Sequence, residues 1–516
     1  MVGQTTELKR QLKSRHLQMI AIGGTIGTGL FIGSGSALAT AGPIGSLIAY
    51  VFVGTIVYSV MVSLGEMTTY IPVSGAFTAY ASRFVDPTLA FAMGFIYWFS
   101  WAITYALELS VAGYIIQYWD PSLNIGIWIG VFWVLFTSIN FLPVSFYGEL
   151  EFWFASIKVV TIIGFMIFAI CVDAGVGKQP YLGFHNWLHP GPFVPYLITG
   201  NDSLAKFVGF WAVLIKAGFA YQGTELLAIA AGETKNPRKE VPSAVRKTFF
   251  RILFLFCLTI FFIGLLVPSD NDALLSDASD ASASPLVIAA NLAGIAVLPS
   301  IINAVLLTAV LSAANSNVYS GSRILLGLAK ENLAPSFFAR TTRRGGVPVL
   351  AVCATAVFGL LGFLNLSASG GNVFNWLLNI TAVAGFIVWA CIGVCHLRFM
   401  DALKARGQSR DTLPYKAPLQ PYLTWYGLFF NVLIILTQGF TAFIPFSVTD
   451  FFVAYVSLLL FVALWVGHKL VCRTAFVRAA EADLDSGRRE IDELDLLEEE
   501  AAASSLSFKE RMRRWL

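Results

Sequence analysis

Twelve apolar runs, each long enough to cross a lipid bilayer, constrain this chain more than any other feature. A membrane helix needs about 20 predominantly apolar residues. Only 13% of the residues are charged, against about 25% in a soluble domain, which excludes a soluble enzyme, a disordered chain and a nucleic-acid-binding protein. We therefore expect an all-α membrane protein with spans near residues 17–40, 45–68, 88–116, 124–142, 151–173, 206–230, 249–268, 296–320, 347–365, 372–397, 424–445 and 449–470.

The basic residues are distributed unequally between the two sides of the membrane. If the N-terminus is cytoplasmic, all but four of the 34 Lys and Arg residues lie in inner segments or at the inner ends of spans. The exceptions are Lys178 and Lys206 outside, and Lys158 and Lys216 within spans. Because cytoplasmic loops are enriched in Lys and Arg, both termini are expected in the cytoplasm. The predicted domains are a cytoplasmic N-tail (1–16), a twelve-helix domain (17–470) and a cytoplasmic C-tail (471–516).

Glycine and threonine interrupt two of the predicted spans. The first span contains Gly-Gly-Thr-Ile-Gly-Thr-Gly at residues 23–29, and the sixth contains Tyr-Gln-Gly-Thr-Glu at residues 221–225. In transporters built from two inverted five-helix repeats, the first helix of each repeat is broken, and these two spans are five apart. Such breaks expose amides that can hold a carboxylate and carbonyls that can hold an ammonium group. The alternative is close packing of helices through small residues.

Several ionisable side chains fall within predicted spans, where each unpaired charge costs about 2.5–3.5 kcal/mol. Ser100, Thr104 and Glu108 follow one another at intervals of four, so they share one face of a helix. A polar face that ends in a carboxylate suits a cation, and the alternative is an internal hydrogen-bonded strut. Glu66, near the inner end of the second span, is interpreted either as structural or as part of a gate.

The fifth span contains a lysine without an acid at helical spacing on its C-terminal side. This residue, Lys158, is a candidate proton carrier, and the alternative is a side chain that reaches the inner membrane surface. Glu149 and Glu151 open the same span and are expected to act as N-terminal caps. The His and Cys residues form no metal-binding or hydrolytic pattern, so no cofactor and no enzymatic activity are expected.

Three long stretches resemble the fungal amino acid permeases of the amino acid–polyamine–organocation (APC) superfamily, over nearly the whole chain. They are HLQMIAIGGTIGTGLFIGSG (16–35), GEMTTYIPVSGAF (65–77) and YQGTELLAIAAGETKNPRKEVP (221–242). Residues 98–119 and 375–400 look like the basic amino acid (arginine) branch of that family. The resemblance implies a leucine-transporter (LeuT)-like core of ten helices in a 5+5 inverted repeat, with helices 1 and 6 broken, plus two C-terminal helices. It also implies import of amino acids by proton symport across the plasma membrane.

The resemblance also implies roles for individual residues. The substrate carboxylate is expected at the amides of Thr28 and Gly29, where a side chain at position 29 would fill the space it needs. The remaining predicted roles are a contact to the carboxylate from Thr25, carbonyls near Phe219, Gln222 and Gly223 for the substrate ammonium, and proton coupling by Lys158 and Glu225. In related sodium symporters a cation bridges the first, fifth and eighth helices, and Lys158 would place its ammonium at that position.

Substrate selectivity is expected to depend on the side-chain end of the amino acid. Glu108 is assigned to the cationic end, and the positions of Ser100 and Thr381 are those that resemblance links to the choice between arginine and lysine, with arginine expected first. Besides substrate, protons and the bilayer, trafficking or ubiquitin-ligase adaptor proteins are candidate partners of the tails; no nucleic-acid partner is expected. Two alternatives stay open: a permease of broad or neutral specificity, favoured by the extra charge of Lys216, and an amino-acid-sensing homologue.

Overall fold

The computed structural model describes residues 22–73, 76–231, 237–275, 284–342, 346–366 and 370–486, together with Met19. The predicted N-tail and residues 487–516 of the predicted C-tail lie outside these residues. The α-helices of the described part are α1 (Thr28–Phe31), α2 (Gly33–Tyr70), α3 (Phe77–Phe84), α4 (Pro87–Gln117), α5 (Ile125–Ile139), α6 (Val144–Asp173), α7 (His185–Leu188), α8 (Asp202–Tyr221), α9 (Leu226–Ala231), α10 (Pro237–Leu266), α11 (Asp272–Leu275), α12 (Pro285–Leu292), α13 (Leu298–Lys330), α14 (Val349–Phe358), α15 (Gly370–Ala405), α16 (Tyr422–Thr437) and α17 (Val448–Cys472).

Ten helical segments of the described residues are long and apolar enough to cross a membrane, and α5 is a shorter apolar helix. The chain is therefore a multi-pass helical membrane protein. The predicted second span and the end of the first fall together on α2, which counts as one helix of 38 residues. Its backbone is non-helical at Gly42, with φ 76° and ψ 175°, and Pro43 follows directly. Ten spans are counted instead of the twelve predicted for two reasons. Helix α2 counts as one span across this kink, and α5 is too short to count.

Polar side chains define where several of these apolar helices begin. The side chain of Asp86 accepts a hydrogen bond from the amide of Thr88 at the start of α4, and Asn201 does the same for α8. Such caps satisfy amides that have no partner within the helix.

Helix α17 exposes the apolar side chains of Phe452, Leu459 and Val462. Such a face is expected where a helix contacts lipid.

Both predicted interruptions are present as breaks in the backbone. Residues 22–25 are helical, Ile26 and Gly27 form a bend, and helix resumes as α1. Likewise α8 ends at Tyr221, Gly223 adopts φ 97°, and α9 begins three residues later. A Cβ atom on Gly223 would lie 2.8 Å from the Gly24 carbonyl oxygen, so glycine is needed there both for its backbone conformation and for close contact. The two breaks therefore touch each other.

The beginning of the predicted C-tail packs against the end of the helical bundle. The amide of Val477 donates to the carbonyl of Val85 (2.9 Å), and the Arg398 guanidinium donates to the carbonyl of Val477 (2.6 Å). Leu484 is completely buried. The described part of the tail is thus a packed element of the fold rather than a separate extension.

Candidate functional site

A cavity lies where the two backbone breaks meet helices α4 and α13. It encloses about 460 Å³ of empty space, its open side included. Its lining combines glycines and hydroxyl groups with aromatic rings and two carboxylates. The lining residues are Gly24, Thr25, Gly27, Thr28, Gly29, Tyr97, Ser100, Trp101, Thr104, Glu108, Phe219, Gln222, Glu225, Ala313 and Asn317.

Most of the predicted site residues line this cavity, but Gly223, Thr381 and Lys158 lie behind its wall. Thr381 is linked to the wall through Gln222, whose side-chain amide donates to the Thr381 carbonyl oxygen at 2.9 Å. Gly29 lies in the wall, and a Cβ atom there would be 2.7 Å from the Cα atom of Ala220. A side chain at position 29 would therefore push α1 away from α8.

Glu108 is the carboxylate on the α4 side of the cavity. Its side chain is buried and accepts a hydrogen bond of 2.5 Å from the hydroxyl of Thr28 on the first break. Among the described residues it forms no ion pair. Burying a charge is costly unless it is paired, so the cavity presents an acidic group that a cation in the empty space would complement.

Glu225 is the second carboxylate in the lining, and its surroundings are different. It accepts hydrogen bonds from the Tyr97 hydroxyl (2.8 Å), the Trp389 indole (3.2 Å) and the Gly223 amide (3.3 Å). These donors come from α4, α15 and the second break, so Glu225 ties the three together. Its predicted part in proton coupling stays a prediction.

Sequence reasoning missed two aromatic residues of the lining, Tyr97 and Trp101, whose rings meet edge to face with centroids 5.8 Å apart. Both were within reach, since Tyr97 precedes Ser100, and Trp101 precedes Thr104, at a helical spacing of three. Trp389 had no such signal, because its contact with Glu225 spans 164 residues of sequence.

Lys158 lies behind the first break and is completely buried on α6. Its ammonium group donates a hydrogen bond of 2.5 Å to the carbonyl oxygen of Gly23. The residue predicted as a proton carrier is therefore hydrogen-bonded to the backbone directly before Gly24, which lines the cavity. The spacing of acids along its own helix suggested a lysine without a partner, whereas the structure gives it the Gly23 carbonyl oxygen.

The prediction that Glu151 is an N-terminal cap was wrong. Helix α6 begins at Val144, so Glu151 lies two turns inside it, and its side chain is completely buried. Its carboxylate accepts hydrogen bonds from the hydroxyls of Ser312 and Ser316 on α13, all at 3.1 Å. Spacing along one helix could not predict these contacts, because the serines are more than 160 residues away in sequence.

Two further charged residues of the spans lie outside the cavity. Lys216 is partly buried on α8, one turn before Phe219, and donates to the Ser36 hydroxyl at 2.5 Å. Glu66 is completely buried, and both of its oxygens accept hydrogen bonds from the Arg410 guanidinium, at 2.8 and 2.6 Å. The amide of Ala417 donates to the same carboxylate at 2.6 Å.

A cavity between two interrupted membrane helices, with exposed backbone and two carboxylates in its wall, defines a membrane transport protein for a small polar solute. The chain belongs to the amino acid permease family, whose sequence profile matches residues 16–480. It is 51% identical over 498 residues to a basic amino-acid permease of Saccharomyces cerevisiae, covering 96% of this chain and 87% of the relative.

Two other relatives show the range of substrates in the family. A lysine-specific permease of Saccharomyces cerevisiae is 49% identical over 486 residues, which is 94% of this chain and 79% of the relative. A proline-specific permease of Emericella nidulans is 42% identical over 525 residues, which is 100% of this chain and 94% of the relative. The protein is thus a transporter of amino acids and not an enzyme.

Proposed function

We propose that this protein imports basic amino acids, arginine first, across the plasma membrane by proton symport. The observation that carries the proposal is Glu108, a buried carboxylate that faces the cavity with one hydroxyl as its hydrogen-bond partner. A guanidinium group pairs with a carboxylate through two short charge-assisted bonds. The similarity to basic amino-acid and lysine permeases supports the same substrate class.

The proposed architecture has twelve spans, with the kink at Gly42 as the end of the first and α5 as the fourth. The two broken helices then begin the two halves of a 5+5 inverted repeat, and α16 and α17 follow as additional helices. Both termini are proposed to be cytoplasmic, as the distribution of Lys and Arg predicts. The domain boundaries stay at 1–16, 17–470 and 471–516.

The proposed pose of the substrate uses both breaks. Its carboxylate accepts hydrogen bonds from the amides of Thr28 and Gly29, with Thr25 beside them, and its ammonium faces carbonyls near Phe219 and Gln222. Support comes from α1: Thr28 and Gly29 line the cavity, and the preceding residue, Gly27, provides no side-chain cap for the first amides of this helix. These contacts are common to all amino acids, which leaves selectivity to Glu108, Ser100 and Thr381.

Lys158 and Glu225 are proposed to couple transport to protons. The Lys158 ammonium holds the Gly23 carbonyl oxygen, so gain or loss of its proton changes the force on the break that receives the substrate. Glu225 holds the other break through Gly223. Trafficking or ubiquitin-ligase adaptor proteins are proposed partners of the two tails.

The test is uptake of labelled arginine in cells, in competition with each of the other amino acids, at two external pH values. We expect lysine and ornithine to compete more weakly than arginine itself, neutral amino acids to compete least, and uptake to fall as the external pH rises. Glu108→Gln keeps the size of the side chain and removes its charge, so arginine uptake should fall by about a hundredfold, or nearly 3 kcal/mol. Arginine uptake by this variant equal to that of the parent would contradict the substrate assignment.

A second candidate is a permease of broad or neutral specificity. Two observations favour it: Lys216 adds a positive charge one turn from the cavity, and a proline-specific permease is 42% identical to this chain. In the same competition experiment, equal inhibition by neutral and basic amino acids would support this candidate. An amino-acid-sensing homologue would bind arginine without importing it.

A further inference from the structure

Glu151 is a buried acid to which the proposed transport cycle gives no role so far. Its side chain is completely buried in α6, and its hydrogen bonds come from the uncharged hydroxyls of Ser312 and Ser316. Uncharged donors compensate a buried carboxylate less well than a cation does. We therefore ask which positive charge compensates this carboxylate.

Glu151 and Lys158 approach the same residue of the first break. They are seven residues apart on α6, two helical turns, and so share one face. Lys158 donates to the carbonyl oxygen of Gly23, and a Cβ atom on Gly23 would lie 2.2 Å from an oxygen of Glu151. Any side chain at position 23 would displace this carboxylate, so the glycine is what allows the acid to reach the break. The two charged side chains of α6 thus both approach Gly23, the residue directly before Gly24 in the cavity lining.

Further polar groups continue from Glu151 along α13. The Tyr147 hydroxyl donates to the Ser316 hydroxyl at 3.1 Å, and the ring of Tyr147 stacks on that of Tyr319 with centroids 3.9 Å apart. The guanidinium carbon of Arg323 lies 4.8 Å from the Tyr319 ring centroid. These residues follow α13 toward its C-terminal end, which the proposed topology places at the cytoplasmic surface. Glu151 therefore lies between Lys158 and the inside of the cell.

We propose that Glu151 is the acceptor for the coupled proton and passes it from Lys158 toward the cytoplasm. The N–H bond of the Lys158 ammonium breaks and an O–H bond forms on the Glu151 carboxylate. That proton then passes to water on the cytoplasmic side, which restores the carboxylate. No electrons change hands. The inference rests on the proton symport proposed above.

The charged and titratable groups around Glu151 are consistent with this direction. Lys158 on its own helix is the cation that acts on it. Tyr147 on the same helix and Arg323 on α13 lie on the inner side, and Glu108 on α4 acts on Lys158 from the cavity side. Lys158 is thus placed between an acid that faces the substrate and an acid that faces the exit.

The experiment compares two activities of the full-length protein in liposomes. The first is exchange of labelled for unlabelled arginine, which needs no net proton movement. The second is accumulation of arginine driven by a pH gradient of one unit with the membrane potential held at zero, which for one proton per arginine reaches about tenfold at equilibrium. We expect Glu151→Gln to keep exchange and to lower accumulation to about one, because the amide cannot take up the proton. Glu149→Gln, an exposed position on the same helix, is the matched control and should accumulate as the parent does.

Two results would overturn the role of Glu151. One is tenfold accumulation by Glu151→Gln, and the other is loss of exchange together with accumulation, which is the result expected of a purely structural strut between α6 and α13. If Glu151→Gln cannot be reconstituted, Glu151→Asp and Glu151→Asn offer a pair of equal size in which only Asp titrates. Accumulation by Asp but not by Asn supports the proposal, and equal accumulation contradicts it. A parent protein that exchanges arginine but never responds to the pH gradient would overturn proton symport itself.

Discussion

Glu66 and Glu108 are two buried acids in one membrane protein, and they differ in how completely the protein satisfies them. Glu66 has a guanidinium on both oxygens and a backbone amide as a third donor. Glu108 has one hydroxyl and an open cavity. The first arrangement is complete without a ligand, whereas the second leaves room for a cation. The difference indicates that a buried carboxylate marks a binding site only where the described protein residues provide no cation to pair with it.

The largest effect is expected at the complete site. Glu66→Gln leaves the Arg410 guanidinium without its anion, and breaking a buried ion pair costs about 3–5 kcal/mol of unfolding free energy. Glu108→Gln should cost about 1 kcal/mol or less, because Thr28 can still donate to the amide oxygen. We would measure both costs as changes in the melting temperature of the purified proteins in detergent. Arg410→Gln is a second way to break the pair. Equal melting temperatures for Glu66→Gln and the parent would remove the contrast between the two acids.

The contrast between the two acids was only partly visible in the sequence. Hydropathy placed the spans, and the glycine and threonine runs placed both breaks, because these signals are local. The partner of Glu66 lies 344 residues away in sequence, and spacing on one helix carries no information at that distance. The same limit explains why the prediction of a helix cap at Glu151 was wrong. The boundary predicted between the first two spans, residues 41–44, contains the kink at Gly42 and Pro43, although α2 counts as one helix across it.

A smaller effect is expected from the positive charge near the incomplete site. The Lys216 ammonium binds the hydroxyl of Ser36 one turn from the cavity wall, where it would repel a cationic substrate as it enters. Coulomb repulsion between partly hydrated charges is on the order of 1 kcal/mol, so Lys216→Gln should lower the KM for arginine by about fivefold. The gain should shrink as the ionic strength rises, because salt screens the charge.

The control for this prediction is Lys206→Gln on the same helix. Lys206 is more exposed and already paired with Asp202 at 2.5 Å, so its removal should leave the KM for arginine unchanged. An equal KM for Lys216→Gln and the parent at low salt would mean that this charge does not act on the substrate path, and the argument for neutral specificity would lose its main support.

The smallest effect is expected at Asp86, an acid at the start of α4 and outside the membrane-spanning segments. Burial alone would raise its pKa, but hydrogen bonds from Lys469, Thr474 and the amide of Thr88 outweigh burial and lower the pKa below its usual value. This acid is paired, as Glu66 is, but with the single ammonium group of Lys469, whereas the Arg410 guanidinium binds both oxygens of Glu66. Asp86→Asn should therefore cost only about 0.5 kcal/mol at neutral pH.

The pH dependence of that cost follows from the direction of the shift. A carboxyl group with a lowered pKa in the folded state stabilises the protein above its unfolded pKa of about 4, and this stabilisation is lost as the pH falls through the lower, folded value. Parent and Asp86→Asn should thus differ in melting temperature at pH 7 and converge as the pH falls below about 4. Melting curves at a series of pH values measure this convergence. The control is Asp485→Asn, which removes the acid of the exposed pair with Arg406. A difference that stays constant down to acid pH would show that Asp86 acts as a neutral helix cap, which an asparagine replaces, and that its ion pair contributes nothing to stability.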